Sequence, residues 1–131
     1  MIVVPFISSH FDCFELQEEQ QIYSFSIKQI EENESYTGII DGEVMGFSTL
    51  LNLNGKKIAC IYLSKKASNH MISITKAIKR FFKENEIKEI YMTVSNSFNN
   101  AKRWANLLGF ERVPYSLNIN TNSWVYKYDR D

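Results

Sequence analysis

The stretch that most constrains this chain is Lys88–Phe110, KEIYMTVSNSFNNAKRWANLLGF. Ile90, Met92 and Val94 alternate with Tyr91 and Thr93, and β-forming residues dominate, so Glu89–Val94 reads as a strand. Ser95, Asn96 and Ser97 break that pattern. Ala101, Trp104, Ala105 and Leu108 then recur at i, i+3, i+4 and i+7, one face of a helix. Asn99 or Asn100 is placed to cap its start, because a short side-chain oxygen accepts a hydrogen bond from an orphan backbone N–H. Gly109 follows the last apolar turn, where a left-handed residue closes a helix, and Phe110 opens a new extended run. A strand, a polar loop and a helix in 23 residues commit the chain to an α/β core.

The rest of the chain builds around that unit. Met1–Phe6 is a short apolar run that reads as a first strand, limited or set at an edge by Pro5. Ser8 or Ser9 is placed to cap a helix over roughly Phe11–Gln20, and a second helix is expected over Gln21–Asn33. A meander follows: strands Tyr36–Ile40, Glu43–Leu51 and Lys57–Leu63. Its turns are Asp41-Gly42 and Asn54-Gly55, both strong hairpin signals, and Gly46 marks a possible bulge. Ile58, Cys60 and Tyr62 fall on one face of the third of these strands, and Ala59, Ile61 and Leu63 on the other. Such a strand is expected to be covered on both sides. Ser64–Asn69 reads as a polar loop, and His70–Glu84 as an amphipathic helix with Met71, Ile74, Ile78, Phe81 and Phe82 inward. After the central unit come a strand Phe110–Tyr115 interrupted by Pro114, a turn-rich loop Asn118–Asn122, and a last strand Ser123–Tyr128. The order is β-α-α-β-β-β-α-β-α-β-β, with no internal repeat.

Composition narrows the function classes. A length of 131 residues suits one domain, 1–131, with one core. The formal net charge is zero, so no broad basic field exists to hold a phosphate backbone, and nucleic acid is not an expected partner. Cys13 and Cys60 match no metal motif and read as reduced, buried thiols of a cytoplasmic protein; no metal is expected. The N-terminus shows neither a signal peptide nor a membrane span.

The element order over the whole chain, with the Arg103-Trp104…Leu107-Leu108-Gly109-Phe110 helix ending, resembles the GCN5-related N-acetyltransferases, the GNAT superfamily. Within it the helix wording looks most like small acetyltransferase-like proteins of tailed phages, some encoded beside internal virion proteins. The resemblance implies a GNAT-like α/β domain: a mixed sheet of about seven strands flanked by helices. It also implies transfer of an acetyl group from acetyl-coenzyme A to an amine.

In such proteins the fourth and fifth strands splay apart and the pantetheine arm lies between them, bonded like an added strand. That assigns Tyr62, Leu63 and Ser64 to the arm, with the Leu63 backbone N–H stabilising the oxyanion. Tyr62 and Tyr91 are the catalytic side chains carried with Leu63, and Glu43 and His70 are further candidate bases for the amine. The implied cofactor set is Leu63, Ser64, Lys65, Lys66, Ser68, Asn69, His70, Asn96, Asn99 and Arg103. Two features depart from the family pattern. The phosphate loop, ordinarily Arg/Gln-x-x-Gly-x-Gly/Ala, here reads SKKASNHM, with no glycine between Gly55 and Gly109. The helix tyrosine that protonates the leaving thiolate, five residues before the Gly-Phe phenylalanine, is replaced by Ala105. These departures admit an alternative: a catalytically degenerate relative, binding or virion-associated, that acts through a protein partner.

Overall fold

A computed structural model describes residues 1–12, 14–15, 27–53, 55–95, 99–113 and 123–129. The strands are β1 (Ile2–Pro5), β2 (Glu34–Ile40), β3 (Glu43–Leu53), β4 (Lys56–Leu63), β5 (Glu89–Ser95), β6 (Phe110–Arg112) and β7 (Ser123–Asp129). The helices are α1 (Ile27–Glu32), α2 (Met71–Glu84) and α3 (Asn99–Leu107), with 3₁₀ turns at Ser8–Phe11 and Lys65–Asn69. The seven strands form one mixed sheet in the order β1-β2-β3-β4-β5-β7-β6. The β4–β5 pair is parallel and the other pairs are antiparallel.

The expected hairpins are present. Asp41 and Gly42 take φ of 51° and 77°, the left-handed pair that a two-residue turn needs. Gly46 sits at a bulge: Gly38 faces Gly46, but Ile39 faces Val44, which leaves Met45 as the extra residue. Gly109 has φ 98° and closes α3 as expected.

The sheet is covered on both faces. Over one, α2 and α3 press Phe82, Ala105 and Leu108 onto Leu50, Ala59, Ile90, Met92, Phe110 and Tyr126. Trp104 Nε1 donates to Thr75 Oγ1 at 2.8 Å, and Thr75 Oγ1 donates to the Met71 carbonyl at 2.7 Å, which ties α3 to the first turn of α2. On the other face Ile58, Tyr91 and Val125 form a small cluster. Beside it Phe6, Phe11 and Phe14 gather around Phe47, with ring centroids 5.3, 5.8 and 4.7 Å away.

Several boundaries differ from the sequence reading. Ser8 and Ser9 lie inside a 3₁₀ turn rather than capping a helix over Phe11–Gln20. Phe11, Asp12, Phe14 and Glu15 are not α-helical; Phe11 and Phe14 pack on Phe47, and His10 Nδ1 lies 2.8 Å from Thr37 Oγ1. Residues 16–26, with most of the two expected helices, lie outside the described residues; α1 supplies the end of the second. Asn99 and Asn100 lie within α3 rather than before it, and residues 96–98 lie outside the described residues. The strand expected over Phe110–Tyr115 stops at Arg112, two residues before Pro114. The loop expected over Asn118–Asn122 also lies outside the described residues. The polar loop Ser64–Asn69 is ordered as a 3₁₀ turn, because Ser64 Oγ accepts from Lys66 N–H at 3.1 Å and Ala67 is fully buried beneath it.

Candidate functional site

The site begins where β4 and β5 part. The β3–β4 ladder runs continuously from Leu53↔Lys56 to Gly46↔Leu63. Between β4 and β5, by contrast, Ile58↔Tyr91 is the single register pair among the described residues. Both strands continue beyond it, β4 to Leu63 and β5 to Ser95. Ladder alternation sets which main-chain groups face the gap. Ser64 N–H donates to the Met45 carbonyl at 2.8 Å, so Ser64 and Tyr62 address β3. Ile61 and Leu63 therefore turn their N–H and C=O to the β5 side of β4.

Gly46 makes that end of β4 possible. A Cβ there would run into the Tyr62 carbonyl oxygen, a backbone atom that cannot step aside cheaply. The glycine lets β3 approach β4 closely at the mouth of the splay.

The chain then turns through Lys65–Asn69 into α2. Lys65 N–H donates to the Glu15 carbonyl at 2.8 Å, and its Nζ lies 3.7 Å from the Glu15 carboxylate. Lys66 Nζ pairs with Glu43 at 3.3 Å. Ser68 Oγ donates to the Lys65 carbonyl at 3.0 Å, and Asn69 is exposed. His70 stands at the N-cap of α2 without a side-chain cap bond, and the first turn of α2 carries no acidic residue. The first-turn N–H groups and the helix dipole thus favour an anion at this end. The lysine pairs are exposed, and such pairs are worth roughly 0–1 kcal/mol, so phosphate oxygens can take their place.

Leu63, Ser64, Lys65, Lys66, Ser68, Asn69 and His70 thus form one continuous rim at the end of β4 and the start of α2. Tyr62 is half-buried on the opposite sheet face, its ring 5.5 Å from Phe47. Burial, and then the neighbouring Cys60, push its phenol up to about 12. At neutral pH Tyr62 therefore keeps its proton. Burial likewise pushes the Cys60 thiol up; Cys60 is a free, partly buried cysteine, and Cys13 lies outside the described residues.

Tyr91 does not join the rim. It is 2% exposed and pairs with Ile58, five residues before Leu63, roughly 16 Å along the strand. Lys56 Nζ donates to its hydroxyl at 3.3 Å and sits 4.8 Å from the ring centroid. Arg103 is exposed on α3, Asn99 is the first residue of that helix, and Asn96 lies outside the described residues. Ala105, where the thiolate-protonating tyrosine was expected, is fully buried in the core. Among the described residues no group of three or more His, Cys, Asp or Glu side chains could hold a metal ion. No helix there is long and apolar enough to cross a membrane.

One feature left no mark in the sequence. An apolar cavity of about 80 Å³ lies between α2 and the sheet, reached by the side chains of Met45, Ala59, Ile61, Leu63, Ile74 and Ile78. Its lining residues come from five separate elements, and only their assembly reveals it.

Solved structures show the same architecture. An acetyltransferase of the GNAT family from Staphylococcus aureus Mu50 superposes with a TM-score of 0.70, at 17% identity over 99% of each chain. The chain has the GNAT acetyltransferase fold. An acetyltransferase from Agrobacterium tumefaciens strain C58 matches with a TM-score of 0.71 at 10% identity, over 98% of this chain and 90% of that one. A PaiA N-acetyltransferase from Thermoplasma acidophilum, solved in complex with coenzyme A, matches with a TM-score of 0.55 at 15% identity. That match covers 72% of this chain and 59% of the other. No family model matches the sequence, and no curated protein matches it. The likeness is carried by backbone, as the expected element order and seven-stranded mixed sheet already indicated.

Proposed function

We propose that this GNAT-fold protein is an N-acetyltransferase that takes its acetyl group from acetyl-coenzyme A. The observation that carries the reading is the β4–β5 parting, with the N-terminus of α2 at its mouth. This combination fits the cosubstrate: a polar, strand-like arm for the gap and a pyrophosphate for the helix end. Lys65 and Lys66 add charge there, and Ser68, Asn69 and His70 add polar side chains. Asn96, Asn99 and Arg103 extend the proposed cofactor rim on the β5–α3 side.

Bound acetyl-coenzyme A would supply an acetyl thioester, whose carbonyl carbon the amine would attack. The amine nitrogen must first lose a proton; Glu43 and His70 are the candidate bases, since Tyr62 keeps its own proton. The Leu63 N–H is proposed to face the carbonyl oxygen as negative charge develops there. As the C–N bond forms the C–S bond breaks, and the thiolate leaves to become the coenzyme A thiol. Tyr62 is proposed to donate a hydrogen bond to that sulfur, which takes its proton from water, since a phenol pushed up to about 12 holds its proton more tightly than the departing thiol does. The test is thiol release from acetyl-coenzyme A across a panel of primary amines and amine-bearing peptides. Release with at least one acceptor is expected, slower in Tyr62→Phe; no release from any acceptor counts against the enzyme.

A second reading has its own support. The buried Ala105 and the glycine-free 3₁₀ turn suit a relative that has given up catalysis and acts through protein contacts, in a virion or elsewhere. It expects no affinity for coenzyme A and a defined protein partner.

A further inference from the structure

We propose that Glu15 and Glu43 hold the Lys65–Asn69 turn closed, and that the pyrophosphate of coenzyme A opens it by displacing both carboxylates from Lys65 and Lys66. This rests on the coenzyme A reading above and deepens it.

The main-chain donors of the turn are already engaged. Ser64 N–H donates to the Met45 carbonyl at 2.8 Å, Lys65 N–H to the Glu15 carbonyl at 2.8 Å, and Ala67 N–H to the Ser64 carbonyl at 3.0 Å. Lys66 N–H donates to Ser64 Oγ at 3.1 Å, and His70 N–H to the Ala67 carbonyl at 2.9 Å. A glycine-rich loop offers such N–H groups to a phosphate; here an incoming anion has to take over a donor that another oxygen holds. The Lys65 N–H can be given up without breaking the turn or its join to β3, because its acceptor, the Glu15 carbonyl, belongs to neither.

The side chains repeat the pattern. The Glu15 carboxylate lies 3.7 Å from Lys65 Nζ, and that of Glu43 lies 3.3 Å from Lys66 Nζ. Each lysine of the turn thus carries a carboxylate supplied from elsewhere. Glu43 is the first residue of β3, and Glu15 follows Phe14, which is seated on Phe47. Such pairing is not general among the neighbouring cations: among the described residues none of Lys76, Lys79, Arg80 and Lys83 on α2 is in an ion pair. Glu15 sets a carbonyl oxygen on the N–H and a carboxylate on the ammonium of one residue, as the oxygens of a phosphate would. Both pairs are exposed, so water receives the displaced carboxylates, and a pyrophosphate carries more negative charge than either of them. The displacement still weakens binding, by up to roughly fivefold for each pair.

The test is calorimetric titration of the full chain with coenzyme A, and with pantetheine, which has the arm but no phosphate. Wild type is compared with Glu15→Gln, Glu43→Gln and the double variant; these side chains are more than half exposed, so the exchanges leave the packing alone. Each single exchange is expected to tighten coenzyme A roughly two- to fivefold, and the double to multiply the two gains. Pantetheine affinity is expected to stay as in wild type. Glu111→Gln, an exposed acid on β6 at the far edge of the sheet, is expected to change neither. Coenzyme A affinity unchanged or weakened in the double variant would overturn the inference while the cosubstrate reading stands, as would an equal gain for pantetheine or in Glu111→Gln. Coenzyme A binding in the double variant alone would support the closed turn most directly. Failure of wild type and every variant to bind coenzyme A would overturn both.

Discussion

Gly46 and Tyr62 carry the sharpest residue-scale expectations. Adding a methyl group at Gly46 drives it into the Tyr62 carbonyl, so Gly46→Ala is expected to cost about 1–3 kcal/mol, read as a lower urea midpoint. Gly38→Ala, whose methyl group meets only the Met1 side chain, should cost less, because that flexible chain can move. Tyr62 sets an alkaline limit. Its folded pKa is raised from 10.0 to about 12, chiefly by burial, so its contribution to stability is fully present below pH 10. That contribution is lost as the pH climbs through 10 toward 12. Tyr36 acts in the same direction, pushed to about 12 chiefly by its hydrogen bond to Glu34. Thermal midpoints should therefore hold through neutral pH and fall above pH 10, and Tyr62→Phe should move that fall to higher pH. An alkaline limb unchanged in Tyr62→Phe would show that the phenol is not so placed.

At the scale of elements, α3 reports on the first turn of α2 through Trp104 and Thr75. Trp104→Phe keeps an aromatic ring but removes the donor, and is expected to cost about 1 kcal/mol in denaturant unfolding. Ser64→Ala removes the cap of the 3₁₀ turn, again at about 1 kcal/mol, and should loosen the loop that leads into α2. The elements differ in how plainly the sequence announced them. The hairpins at Asp41-Gly42 and Asn54-Gly55, α2, and the β5–α3–Gly109 unit were legible because each obeys a local rule of turn chemistry or periodicity. The turn at Ser8–Phe11 was not, because Phe11 and Phe14 follow a distant ring, Phe47, rather than their own spacing. The loop at Lys65–Asn69 looked irregular because nothing local shows that Ala67 will be buried. Of the candidate site, the rim from Leu63 to His70 is contiguous in sequence and was legible. Tyr91 stands apart from it, because strand register, which no local pattern states, sets Tyr91 at the paired end of β5 opposite Ile58. The cavity needed the tertiary assembly of β1 to β4 with α2.

For the whole molecule, the central claim is that the parted strands and the α2 N-terminus hold coenzyme A without the usual glycines. The most direct measurement is a thermal-shift titration with acetyl-coenzyme A and coenzyme A against buffer. A ligand at about a hundred times its Kd adds ~2.7 kcal/mol, and each kcal/mol is worth roughly 3–6 °C in a domain of this size. The account predicts a saturable, dose-dependent rise on the order of 10 °C for acetyl-coenzyme A. An unchanged midpoint at millimolar ligand would contradict it, leaving a GNAT fold whose work is done through a protein partner.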